Sequence, residues 1–328
     1  MCFIGVQREA QFLKGGGAIF GLALWAGSLA VGSAHANDAY KISFVGPVKG
    51  EAFFTHMYCG AESEAKRAGA TISFTAGDHF DPREQTSIFN AITAQRPDAA
   101  LVVPVDTRAM IPALRQMRDA GIQIAEVDTH VDDASIAVAQ IATDNYQGGA
   151  LAAQKLAALV NDVGMVLVVN VQPGISSVDA RQKGFLEEMK GHPKITVLPV
   201  EFAGFDASKA AAVTTAALSA HPEIAGIYDT VSILGEGTVT GLQQMNKVGA
   251  VKIVAFDPTP GVVAAFDRGI IDVIIAQDAF EIGVKGVQAV VNALEKKPTK
   301  RSIAISAVAI DHQNVASMKR YYYRDRCD

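Results

Sequence analysis

The chain has 328 residues, 49% of them hydrophobic and 19% charged, with a formal net charge of −5. That is enough apolar side chain for two ordinary cores, and the acidic balance argues against a nucleic-acid partner. No Gly/Ser-rich or Pro-rich stretch marks a flexible linker, so the domains are expected to touch closely.

Residues 1–36 have the pattern of a secretory signal: Arg8 and Lys14 in a basic start, an apolar run over 15–31, and Ala34-His35-Ala36 as a small-x-small peptidase site. Cleavage before Asn37 would export the body of the chain. A retained anchor is the competing reading, since the run approaches the ~20 residues that span a bilayer. The glycines that open the run, its small-residue exit and the lack of a flanking basic cluster favour removal. Cys2 precedes the apolar run and is no lipoprotein cysteine. Cys59 and Cys327 remain, and in an oxidising compartment they either pair, tying the tail to the first domain, or persist as a buried thiol and a frayed end.

Behind the signal, short β-branched runs alternate with longer segments of 3.6 periodicity, the pattern of βαβ units and a parallel sheet. Strands are predicted at 41–45, 70–75, 99–103, 123–127, 138–141, 164–169, 195–200, 226–228, 251–256 and 273–276. Several are apolar throughout, as strands buried on both faces must be. A first helix carries Cys59. Asp81-Pro82-Arg83-Glu84 opens the next with an N-cap, a proline in the first turn and a capping-box glutamate. Asp106-Thr107 opens a third, which carries Met110, Ile111, Leu114 and Met117 and stops at Ala120-Gly121. Further helices are predicted over 145–160, 179–189, 208–220, 234–245, 260–268 and 280–294.

In an open parallel sheet, ligands bind beyond the carboxyl ends of the strands. The residues found there are not random: Glu51, Phe53 and Phe54 after the first strand, Asp128 after Val127, Thr143 and Asp144 after Ile141. In the second half Gln172, Asp229, Asp257 and Gln277 follow strands in the same way. Carboxylates that accept from neighbouring hydroxyls, with aromatic faces for the C–H side of a ring, suit a neutral polyhydroxylated ligand. Asp106, Asp144 and Asp206 are read instead as helix caps.

No dinucleotide fingerprint, Walker loop, zinc-protease motif or nucleophile elbow is present, so no cofactor is implied. His56 and Cys59, three apart, and His79 and Asp81 lack the further ligands a metal site needs. The tail Lys319-Arg320-Tyr321-Tyr322-Tyr323-Arg324-Asp325-Arg326 is expected to pack on the second domain, with a membrane partner as the alternative.

In their order and spacing these residues resemble the ribose/galactose-type periplasmic substrate-binding proteins of ABC importers. The likeness rests on Phe53-Phe54, Val127-Asp128, Ala142-Thr143-Asp144-Asn145 with Gly148-Gly149, Arg181-Gln182-Lys183-Gly184-Phe185, Val254-Ala255-Phe256-Asp257-Pro258-Thr259-Pro260 and Ile275-Ala276-Gln277. The resemblance implies an α/β fold of the type I periplasmic binding protein: two doubly wound parallel-sheet domains joined by a three-crossover hinge near residues 143, 277 and 306. It assigns 37–143 with 278–306 to an N-terminal lobe and 144–277 with 307–328 to a C-terminal one. Asp128, Arg181, Asp257 and Gln277 become its hydrogen-bonding set, and Phe54 and Phe205 its ring-stacking pair. Glu51 stands where such proteins often have asparagine, Val103 and Val231 replace commonly polar residues, and Thr129 stands for a frequent second arginine. These departures point away from ribose toward a less oxygenated sugar, a polyol, or a ligand whose amine faces Glu51.

The function implied is a monomeric, non-enzymatic periplasmic binding component that closes on a sugar or polyol and delivers it to a membrane permease. Three alternatives share parts of this reading. One is a ligand reporter for a chemoreceptor or sensor kinase. Another is a repressor of the related fold, which the signal and the missing helix-turn-helix headpiece oppose. The last is an exported hydrolase using Glu51 and Asp257 as acid and base.

Overall fold

The computed structural model describes residues 39–327; the expected signal peptide lies outside the described residues. Two sheets organise the chain. The first is built from β1 (Lys41–Val48), β2 (Thr71–Gly77), β3 (Ala99–Val102), β4 (Gln123–Val127), β5 (Ala139–Thr143) and β12 (Ser302–Ile305), in the order β12-β5-β4-β3-β1-β2. The second holds β6 (Gly164–Asn170), β7 (Ile195–Val197), β9 (Ile224–Asp229), β10 (Lys252–Phe256), β11 (Val273–Ala276) and β13 (Val308–Ile310), in the order β13-β11-β10-β9-β6-β7, with β8 (Glu201–Phe202) paired to β6. Every ladder is parallel except β11 with β13.

Burial on both faces explains the apolar strands: β3 and β11 have no exposed residue because helices cover each side. On the first sheet, α1 (Ala52–Arg67) and α9 (Ala279–Leu294) cover one face, and α2 (Pro82–Gln95) and α3 (Ile111–Asp119) the other. On the second, α4 (Asn145–Leu159) and α5 (Ser176–Met189) face α6 (Ala207–Ala220), α7 (Ser232–Gln244) and α8 (Pro260–Asp267) across the strands. Two glycines let α1 and α9 approach: a Cβ on Gly60 would meet the Phe280 carbonyl, and one on Gly283 the Met57 carbonyl.

The chain passes between sheets after β5, after β11 and between β12 and β13. This is the doubly wound, three-crossover architecture that the resemblance implied. Asp144 and Asp206 do cap helices, accepting from Gln147 and Lys209 backbone N–H groups. Asp81 caps α2, but Glu84 reaches past it to the backbone N–H groups of Asp78 and His79. Asp106 caps only a turn, and α3 begins at Ile111 beside Pro112. The strand predicted over 195–200 stops at Val197 as β7, β8 is a separate two-residue strand beyond the predicted span, and β12 and β13 appear where no strand was predicted.

The end of the tail corrects the expected packing on the second domain. Tyr321 joins the second sheet's core, but Tyr323 is buried among α1 and α9 residues and Cys327 is disulfide-bonded to Cys59 of α1. A cysteine pair across 268 residues of sequence therefore ties the tail to the first sheet's helices. It also settles the fate of Cys59, whose bonded sulfur is no thiolate ligand for a metal with His56.

Candidate ligand-binding site

The polar side chains gather where strands of both sheets end. Glu51, beyond β1, caps α1: one carboxylate oxygen accepts from the Phe53 backbone N–H at 3.0 Å and the other from the Ser232 hydroxyl at 2.7 Å. Ser232 opens α7 beyond β9, so one carboxylate joins the edges of the two sheets. Burial outweighs both bonds and pushes Glu51 up to about 7.

β4 and β10 hold equivalent positions in their sheets, and each is followed by an aspartate in the left-handed region, Asp128 with φ 65° and Asp257 with φ 69°. Their N–H groups still bond the neighbouring strand, Asp128 to the Ile141 carbonyl and Asp257 to that of Ile275. Asp is among the few non-glycine residues that tolerate this backbone, and such sparsely populated conformations cluster at functional sites. The turn aims both carboxylates off the sheet edge.

Asp257 Oδ1 accepts from Gln277 Nε2 and from the Tyr323 hydroxyl, each at 2.8 Å, while Oδ2 lies 3.9 Å from Arg181 Nη1. Arg181 is wholly buried; Nε donates to Asn145 Oδ1 and Nη1 to the Thr230 carbonyl, both at 2.8 Å. Its guanidinium carbon stands 4.0 Å over the Phe256 ring. A buried cation so partnered is held rigidly. Asp128 is also buried, with Oδ1 lacking any protein partner, and burial pushes it up to about 7. Burial raises Asp257 too, against the pull of Arg181, Gln277 and Tyr323.

These groups border one cleft. Of the residues predicted from sequence, Glu51, Phe53, Phe54, Val103, Asp128, Arg181, Phe205, Val231, Asp257 and Gln277 line it. Thr143 and Asp229 do not, and both placements correct the expectation. Thr143 acts one step away, donating to Gln277 Oε1 at 2.6 Å. Asp229 is still inside β9, paired with Ala255 and Val169, so strand alternation turns it into the core, where Oδ1 accepts from the Thr238 hydroxyl and Oδ2 has no partner. Phe205 is not free on both faces: it stacks on Phe80, with centroids 5.2 Å apart and planes at 18°. Phe53 and Phe54 meet edge to face.

Phe80, Ser177 and Ser232 also line the cleft and were not predicted. The strand-end rule would have reached Phe80 had β2 been extended from residue 75 to Gly77, where it ends. Nothing in the sequence separates Ser232 from any other serine opening a helix, because its role is a contact with Glu51 far away in the chain.

Two doubly wound lobes that bring hydrogen-bonding and aromatic groups from both edges to one cleft define a two-lobed solute-binding protein. Residues 42–298 match the family model described as the periplasmic binding protein domain, and the chain belongs to that family. The structure of an ABC transporter solute-binding protein from Agrobacterium vitis, bound with alpha-D-tagatopyranose, aligns with a TM-score of 0.85 at 35% identity, covering 87% of this chain and 99% of that one. The ribose import binding protein of Escherichia coli is 27% identical over 256 residues, 78% of this chain and 85% of its own length. The D-allose-binding periplasmic protein of the same species is 25% identical over 252 residues, 74% of this chain and 80% of its own.

Proposed function

We propose that this chain is the periplasmic solute-binding component of an ABC importer, a monomer that closes two lobes over a neutral monosaccharide or polyol, releases it unaltered and presents it to a membrane permease. The observation that carries this reading is the convergence of Asp128, Arg181, Asp257 and Gln277 on one cleft, with an Asp128 oxygen left for the ligand. Hydroxyl groups satisfy such a set, each accepting from Arg181 or Gln277 and donating to a carboxylate. Valines 103 and 231 and the phenylalanines supply the apolar wall that a sugar's C–H face needs. Both Glu51 oxygens are already engaged, which favours a neutral ligand over one with an amine at that position. The A. vitis relative with its bound ketohexose supports a monosaccharide.

Closure is held by contacts across the cleft: Glu51 with Ser232, Phe80 with Phe205, Thr107 N–H with the Gly174 carbonyl, and His130 N–H with the Ser176 hydroxyl. A ligand bonded to both sides adds to these and shifts the population toward the closed form. Its affinity is reduced by the fraction of time the empty protein spends open. Thermal-shift and calorimetric titration against D-tagatose, pentoses, hexoses, tetritols, inositols and amino-polyols tests the assignment. At least one neutral sugar or polyol should raise the melting temperature and titrate with one-to-one stoichiometry. Stabilisation by amino-polyols alone, or release of a cleaved product, would end the proposal.

A further inference from the structure

The family match stops at residue 298, yet a residue well beyond it touches the site. The Tyr323 hydroxyl donates to Asp257 Oδ1 at 2.8 Å and lies 3.4 Å from the Gln277 backbone N–H, which donates to it. Its own backbone N–H donates to the Pro258 carbonyl, one residue past Asp257. The ring is stacked on His56 and packs against Phe53, both on α1, with centroids 5.5 Å away in each case. Four residues later the tail is bonded to the same helix through Cys327 and Cys59. One buried side chain thus joins the first lobe's α1 to the second lobe's carboxylate.

We propose that Tyr323 is a positioning residue of the binding cleft: a C-terminal strap, fastened to α1 by the Cys59–Cys327 disulfide, holds the Asp257 carboxylate in its ligand-accepting orientation. With Oδ1 occupied by Tyr323 and Gln277, the carboxylate cannot rotate freely, and Oδ2 is the oxygen directed at Arg181. The consequence for ligand affinity rests on the sugar-binding reading above; the effect on Asp257 itself does not. Groups facing this carboxylate are Arg181 from α5, Gln277 beyond β11, Asp128 beyond β4, Glu51 before α1, Tyr228 of β9 and Tyr323 from the tail. The phenol's donation stabilises ionised Asp257 more than its neutral acid, so deleting the hydroxyl leaves burial less opposed and raises the carboxyl's titration midpoint.

The test is carboxyl-carbon NMR titration of the ligand-free protein, with the Asp257 signal assigned by its loss in Asp257→Asn. Tyr323→Phe, which keeps the ring, should raise the Asp257 midpoint by about one pH unit, roughly ten-fold in proton affinity. The Cys59→Ser, Cys327→Ser double variant should move it the same way by less. Binding of D-tagatose, followed by calorimetry, should weaken about ten-fold in Tyr323→Phe and by less than about two-fold when that change is added to Asp257→Asn. An unchanged Asp257 midpoint in a variant that melts like the wild type overturns the proposal, as does an equal affinity loss in both backgrounds. If no monosaccharide binds the wild-type chain, the functional reading fails while the titration still decides the role of Tyr323.

Discussion

Asp128→Asn should weaken binding and strengthen the fold. The carboxyl is buried with Oδ1 unpartnered, and burial, opposed by Arg181 and reinforced by Asp257, pushes it up to about 7. An unfolded aspartate titrates near 3.9, so between the two values the folded protein keeps a proton that the unfolded chain has released. The stability this group contributes is present in full below about pH 4. It falls away progressively as the pH rises from there to about 7. At about 1.4 kcal/mol per pH unit, the charged, desolvated form costs on the order of 4 kcal/mol by pH 8, less whatever Arg181 and penetrating water recover. Asparagine never ionises. Urea unfolding should therefore find the variant close to wild type at pH 4 and about 2–4 kcal/mol more stable at pH 8. Affinity should move the opposite way, by about 1.5–3 kcal/mol or ten- to hundred-fold, because hydroxyls lose a charged acceptor. A stability difference that does not change with pH, or undiminished sugar affinity at pH 8, would refute the reasoning.

Ser232→Ala removes a hydrogen bond made only when the lobes meet, and calorimetry should show affinity weaker by about five-fold with little change in thermal stability of the free protein. Asp229→Asn should leave affinity within about two-fold of wild type, since this carboxyl bonds Thr238 in the core and does not border the cleft; a larger loss would put it back in the site. Gly283→Ala drives a methyl group into the Met57 carbonyl where α1 meets α9, and denaturant titration should record a loss of about 1–3 kcal/mol.

The alternation of strands and helices, most of their caps and the edge at which polar residues collect were legible from the chain alone. Each follows from local facts: burial on two faces makes a strand apolar throughout, and an orphan helix terminus draws Asp81, Asp144 or Asp206. Which polar residue faces the cleft was another matter. Asp257 and Asp229 read alike in sequence, each closing an apolar run. Asp257 lies one step past its strand with a left-handed backbone, and Asp229 is still paired within β9, so only the position of the strand's last paired residue decides between them. Thr143, Phe80 and Ser232 owe their roles to partners brought near by the crossovers, and β12 and β13, four and three residues long, are too short to carry a periodic signal. The tail's route was hidden for the same reason. A periodic pattern records what one element buries, whereas the Cys59–Cys327 pairing and the Tyr323–Asp257 bond depend on where two distant segments come to rest once both lobes have packed.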